Sequence, residues 1–462
     1  MVTAIPGPRS EALVEDLARS ECPAITARRA RRAEEAGVSQ DPIVWKRARG
    51  ANVEDVDGNV YVDLTGAFAV AGIGHGHPRV VEAAREQAET LIHAMGDVYP
   101  AEQKIELCRR LSELAPGELS HSILGLSGAS AVEAALKTAA VHTGRPGAIA
   151  FWGGYHGLNY GALGVTAYRE SFRRPFLPQL NQSVRHVPFP DTFRPPFGLA
   201  PSTRPEEVGG AVLAHLREML DGPATASESI GAVVIEPVQG RGGYVEPPPG
   251  FLTGLRELCD ERGLVLIFDE IYTGFGRTGD LFACDREGVV PDILVVGKAM
   301  GGGFPISAAI GTEAVMSSWG LSSGEAVHTS TFLGNPLGCA MAIAALDVVV
   351  GEDWPARVRR RGEEIRKRLE VLARRYSSRV GRVRGRGLML GLEFVADQEA
   401  RTPDGGLAVA LTDFCRRRGY LVLPSGRYGQ VLALSPPFVV NDVQWEGFFQ
   451  VLDEGLKTLT AV

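Results

Sequence analysis

Asp269 and Lys298 are the pair of residues best placed by type and spacing to do chemistry between an amine and a carbonyl. The apolar run LVLIFDE ends in Asp269 and Glu270, and a second run, DILVVGKAMGGG, leads straight into Lys298 among glycines. A carboxylate at the end of a buried strand is costly to desolvate unless a cation accompanies it. A lysine beside it in a Gly-rich turn is a candidate Schiff-base amine, because partial burial lowers its pKa. A structural salt bridge is the plainer alternative, since ion pairs are common. The lysine census favours the amine: the 48 basic residues comprise 42 Arg and only 6 Lys. Lys298 alone passes from an apolar strand into glycines. Lys46 and Lys457 have polar surroundings, and Lys104, Lys137 and Lys367 fall on amphipathic helical stretches.

Two further stretches carry polar or flat groups. In LSGASAVEAALK, small residues including Gly128 and Ala129 open a strong helix former. Free N–H groups at such a start hold a phosphate, although a serine there is equally explained as an N-cap. In WGGYHGLNYG, Tyr155 and His156 follow an apolar run; a ring could stack on a planar cofactor, or simply pack. The six cysteines (Cys22, Cys108, Cys259, Cys284, Cys339, Cys415) form no C-x-x-C pair and read as small buried hydrophobes in a reducing compartment. His75 and His77 lie in a Gly- and Pro-rich turn without a nearby carboxylate in sequence, which argues against a metal pair.

The elements that must position these residues alternate in type. Ile149–Phe151, Ala232–Ile235, Leu264–Phe268 and Ile293–Val296 read as buried strands, and helices separate several of them. That alternation predicts an α/β fold with a mainly parallel sheet covered on both faces. In such sheets ligands bind beyond the carboxyl ends of the strands, where both Asp269 and Lys298 fall. Upstream, ANVEDVDGNVYVDL predicts a hairpin around a D-G turn, preceded by RRARRAEEAG as a solvated helix. The Pro-rich stretch between Phe172 and Pro205 reads as a surface excursion. The expected division is an N-terminal segment, 1–75, joining a small α+β domain at 336–462, with a large domain at 76–335. A net charge of −7 argues against a nucleic-acid partner. No secretory signal or membrane span is read in the sequence, so a cytoplasmic protein is expected.

Together the motifs FDEIYTGFGRTG, GKAMGGGFP and HTSTFLGNPLG resemble the class III aminotransferases, the fold-type I pyridoxal-phosphate enzymes that include 4-aminobutyrate and ornithine aminotransferases. The resemblance runs from about Pro42 to Leu459. It implies that Lys298 carries the cofactor as a Schiff base and that Asp269 keeps the pyridine nitrogen protonated, making the ring an electron sink. It further implies that Gly128 and Ala129 bind the phosphate and that Tyr155 stacks on the ring beside His156. Glu236 and Gln239 of IEPVQG belong to the surrounding hydrogen-bonding shell, and Phe68–Ala71 and Tyr99 line the pocket. Thr331 reaches the phosphate of a neighbouring subunit, so a homodimer is expected. The implied reaction is ping-pong transfer of an amino group from an amine or ω-amino acid, 4-aminobutyrate-like, to a 2-oxo acid.

Departures from the family pattern bear on the substrate. Where relatives read EPVQGEGG this chain has EPVQGRGG, placing Arg241 at the Glu position, and Ala433 stands where a late Arg is expected before Pro-Pro. An Arg there would be repelled by Arg241, so losing both original partners is coherent. Arg241 is therefore the expected carboxylate-binding group, since a bidentate Arg contact depends on approach angle. Tyr272 replaces a Gln that contacts the cofactor phenolate oxygen in many relatives. Two rival readings stand beside transamination: an amino-acid racemase or epimerase using the same cofactor, and a non-catalytic cofactor-binding regulator.

Overall fold

Short apolar runs, too brief for helices and bounded by glycines or turns, become the strands that carry the site. The computed structural model describes residues 1–27, 42–222, 227–320 and 324–460. RRARRAEEAG (28–37) lies outside the described residues. The chain divides into two compact units, residues 1–77 with 360–462, and residues 78–359.

The second unit holds a seven-stranded sheet: β1 (Leu119–Gly125), β2 (Gly147–Phe151), β3 (Val184–Val187), β4 (Ile230–Ile235), β5 (Val265–Asp269), β6 (Ile293–Val296) and β7 (Ser307–Thr312). Their spatial order is β1-β7-β6-β5-β4-β2-β3. Strands β3, β2, β4, β5 and β6 pair in parallel, and β7 runs antiparallel to both β6 and β1. The carboxyl ends of every strand but β7 therefore share one edge. Strands β2, β4, β5 and β6 are buried at every position, as expected of a sheet covered on both faces.

Helix α1 (Gly128–Thr143) shows how the covering works. Its buried positions are Ala131, Val132, Ala134, Ala135, Thr138 and Ala139. Such small side chains let the helix backbone lie close to the sheet, and all but Thr138 join Val234, Ile267 and Val295 in one core cluster. Strand β3 lies inside the Pro-rich stretch read as a surface excursion. It was missed because RHV offers too short an apolar run to signal a strand, and its pairing with β2 supplies what local sequence lacks. The helix Pro336–Gly351 also departs from the expected division at 336. It packs on the helices Pro78–Thr90 and Glu102–Leu114 and so falls in the second unit.

In the first unit the expected hairpin forms between Asn52–Asp55 and Val60–Asp63. After it, Gly66, Ala67, Phe68 and Ala69 all take positive φ, between 49° and 66°. A left-handed turn costs non-glycine residues roughly 1–2 kcal/mol each. Buried Asp63 holds it in place, accepting from Thr65 N, Thr65 Oγ1 and Ala67 N. The same carboxylate meets His75 Nε2 at 2.9 Å, so His75 has the carboxylate partner its sequence neighbours did not reveal. Ala433 sits in the strand Val431–Leu434, buried between Gly391 and Leu423 of its neighbours.

Candidate active site

The strand ends of the second unit deliver the chemistry-bearing residues to one edge. Asp269 is the last residue of β5 and only 4% exposed. Its Oδ2 lies 2.7 Å from Nδ1 of buried His156, which follows β2, and its Oδ1 accepts the amide of Ile271 at 3.1 Å. A carboxylate only accepts, so the imidazole proton sits on Nδ1. Burial alone would lower the His156 pKa, but the hydrogen bond to Asp269 and the charges of Asp269 and Glu236 outweigh it and leave it raised. The pair is thus a buried carboxylate hydrogen-bonded to an imidazole whose pKa is raised.

Glu236, one residue beyond β4, accepts from the amides of Tyr155 at 3.0 Å and Gly240 at 2.9 Å. Burial lifts its pKa to about 7, against the lowering effect of His156. Gln239 is buried, donating from Nε2 to Trp152 O at 2.9 Å and fixing the loop after β2. These two side chains tie backbone to backbone.

Lys298 follows β6 at a backbone φ of 44°, in the region that L-residues rarely occupy. Strain of this kind persists where surrounding structure over-determines it, and it clusters at functional sites. Desolvation pushes the Lys298 amine down to about 8 although Asp269 and Glu236 pull it up; Arg241 adds to the lowering. Its Nζ stands 4.4 Å from the centre of the Tyr272 ring. The Tyr272 hydroxyl is engaged with Tyr244 Oη at 2.9 Å.

Gly128 and Ala129 begin α1, whose N-cap Ser127 accepts from Ser130 N while Ser130 Oγ accepts from Ser127 N. A Cβ on Gly128 would meet Ile271 Cδ1 at 2.7 Å, and one on Gly157 would meet Ala129 Cβ at 2.6 Å. Those close approaches seat the helix start against the segments leaving Asp269 and His156. The first-turn N–H groups of a helix have no partner within it and carry positive partial charge. Tyr155 packs edge-on against Tyr168 and Phe172, and the Arg241 guanidinium lies 4.8 Å above the Tyr155 ring and 5.0 Å from that of Tyr168. Thr331 lies on an exposed turn before the helix Pro336–Gly351. Tyr168, Tyr244 and Thr166, whose hydroxyl accepts from His156 N at 3.0 Å, escaped the sequence reading. Nothing local distinguishes them from packing residues; only their neighbours do.

The donor set suits pyridoxal phosphate: a helix start for a phosphate, a buried carboxylate for a ring nitrogen, a flat side chain and a desolvated amine for an aldehyde. Comparisons with known proteins agree. A family model described as aminotransferase class-III matches residues 34–456. An alanine/serine racemase from Pyrococcus horikoshii is 35% identical over 98% of this chain and 92% of its own length. A thermostable (S)-enantioselective omega-transaminase from Thermomicrobium roseum is 30% identical, with a TM-score of 0.87, over 98% of this chain and 99% of that one. The PLP-bound form of an amine transaminase from an uncultivated Pseudomonas species is 29% identical, with a TM-score of 0.83, over 91% of this chain and 96% of that one. Family model, fold and site chemistry converge, and this chain belongs to the class III aminotransferases, which work with pyridoxal phosphate.

Proposed function

We propose that the protein moves an amino group from an amine or ω-amino acid, 4-aminobutyrate-like, to a 2-oxo acid in a ping-pong cycle. The observation that carries this reading is the meeting of a desolvated lysine with a buried carboxylate–imidazole pair at one sheet edge. When bound, pyridoxal phosphate supplies a ring that takes up the electron pair released at the substrate carbon. Asp269 would hold the proton on the ring nitrogen, and His156 aims the Asp269 carboxylate through its 2.7 Å contact from Nδ1. The amides of Gly128 and Ala129 would hold the phosphate and Tyr155 would lie against the ring, while Glu236 and Gln239 fix the loops around the site. Tyr272 presents its ring to Lys298 and its hydroxyl to Tyr244. Lys298 acts as the base at the substrate carbon, since an amine near pKa 8 is partly neutral at neutral pH.

A homodimer with Thr331 contributed across the interface completes this reading. Its support is an exposed apolar surface formed by Ile92, Met95, Val98, Tyr99 and Phe332, with His93 and Phe332 rings 5.1 Å apart. Light scattering should give twice the chain mass. A cytoplasmic location is supported by six free thiols, and among the described residues no helix is long and apolar enough to cross a membrane.

The test is direct. Purified protein mixed with pyridoxal phosphate should gain visible absorbance and, after borohydride, a fixed adduct on Lys298. Single amines offered one at a time should bleach that absorbance, and a 2-oxo acid should restore it. Protein that stays colourless and yields no adduct rules the reading out. Racemisation is a second reading, favoured by the name of the Pyrococcus relative. A single amino-acid enantiomer without any 2-oxo acid separates the two, because racemisation then proceeds and net transfer does not.

A further inference from the structure

Lys298 touches no carboxylate. Among the described residues its Nζ has neither a hydrogen bond nor an ion pair, and it lies over the Tyr272 ring, 4.4 Å from the centre. The two acids that draw charge toward it are engaged elsewhere. Asp269 is taken by His156 Nδ1 and the Ile271 amide, and Glu236 by the amides of Tyr155 and Gly240. An ammonium at this position therefore makes its contact with an aromatic face, which attracts a cation through the ring quadrupole.

That face is clamped. The Tyr272 hydroxyl and that of Tyr244 meet at 2.9 Å, and the two rings stand 5.9 Å apart at 55°. Tyr244 is 2% exposed and held at a φ of 57°, so the anchor is itself fixed by its surroundings. Gly240 brings backbone against the ring as well: a Cβ there would meet Tyr272 Cγ and Cδ2 at 3.1 Å. Any side chain at Gly240 would push the ring from its place. A Gln, which many relatives carry at the Tyr272 position, has no such face to offer.

We propose that Tyr272 is a positioning residue whose ring face holds the Lys298 amine in its proton-carrying form whenever that amine is free of the cofactor. The inference rests on the transaminase reading, in which Lys298 is the base, and adds a residue to it. When neutral Nζ takes the proton from the substrate carbon, the electron pair of the broken C–H bond passes to the cofactor ring. Nζ then becomes an ammonium. Desolvation disfavours that charge and Arg241 repels it, while Asp269 and Glu236 favour it without touching it. The Tyr272 face supports it by contact and keeps it in one place until the proton is delivered.

The experiment changes the charge distribution of the ring and keeps its shape. Tyr272→Phe retains the electron-rich face, and a trifluorinated phenylalanine at the same position drains it. In cofactor-free protein, carbon-13 NMR of the lysine Cε atoms follows the Lys298 amine, and Lys298→Ala identifies its signal among the six lysines. The titration midpoint should stay as in wild type in Tyr272→Phe and fall by about 0.5–1 pH unit in the trifluorinated form. In the loaded enzyme, single-turnover bleaching by an amine donor should slow several-fold in the trifluorinated form relative to Tyr272→Phe, at unchanged half-saturation by the donor. A midpoint equal in the two forms, a midpoint that rises on fluorination, or equal single-turnover rates overturns the proposal. The midpoint is read without cofactor, so it stands apart from the transaminase reading, which fails instead if wild-type protein gains no absorbance with pyridoxal phosphate.

Discussion

Asp269 and Glu270 are adjacent carboxylates, both buried at the end of the same strand, and their surroundings differ completely. Side chains of successive strand residues leave on opposite faces. Glu270 points into a nest of neutral donors, accepting from Thr273 Oγ1 at 2.6 Å and from the amides of Ala283 and Cys284 at 2.7 and 2.8 Å. Its desolvation still exceeds what those donors give back, and its pKa is raised. Asp269 faces the His156 imidazole and accepts the amide of Ile271. The contrast separates a carboxylate whose capacity is spent on binding a loop from one that is paired with a buried imidazole. Burial alone therefore does not mark a functional acid; the kind of partner does.

The comparison can be broken most directly through the group that Asp269 serves. Lys298→Ala should abolish the borohydride-fixed adduct and lower turnover at least about 10³-fold, measured by single-turnover absorbance. Asp269→Ala should cost about 10²–10³-fold in kcat, because the proposed electrostatic partner of the cofactor ring is removed. In that variant burial acts unopposed by Asp269 on His156, and the imidazole should lose its raised pKa, visible by NMR titration. Glu270→Gln should behave oppositely. It should cost about 1–3 kcal/mol of stability in denaturant titration, through weakened buried hydrogen bonds, while the loaded cofactor spectrum stays as in wild type. Equal kinetic damage from Asp269→Ala and Glu270→Gln would erase the distinction.

Two finer measurements sharpen it. Tyr272→Phe keeps the ring beside Lys298 and removes the bond to Tyr244; at about 1 kcal/mol, turnover should change by no more than roughly fivefold. Capture of pyridoxal phosphate by the cofactor-free protein should speed up as pH rises and level off above about 8, since the neutral amine attacks. Arg241→Gln should move that midpoint upward, because the guanidinium helps to lower the Lys298 pKa. A downward move would contradict the electrostatic picture of this wall of the site.

The apolar runs before Asp269, Lys298 and Glu236 announced themselves because strands buried on both faces have no polar positions to spare. A polar residue at the end of such a run is conspicuous in sequence. The left-handed turn at Gly66–Ala69 gave no such signal, since its conformation is imposed by Asp63 rather than by local preference. Strand Val184–Val187 was hidden for a related reason: its extended form comes from pairing with Gly147–Phe151, not from its own composition.

By itself the sequence determined the family and the α/β architecture, because motifs, strand periodicity and Gly-rich turns act locally. Tertiary structure alone decided the partners. His156 reaches Asp269 across 113 positions of chain, and Tyr155 and Tyr168 meet Arg241 from a separate loop. Side-chain hydrogen bonds and ring stacking act over only a few ångströms, so they exist only after the sheet has brought distant segments to a common edge.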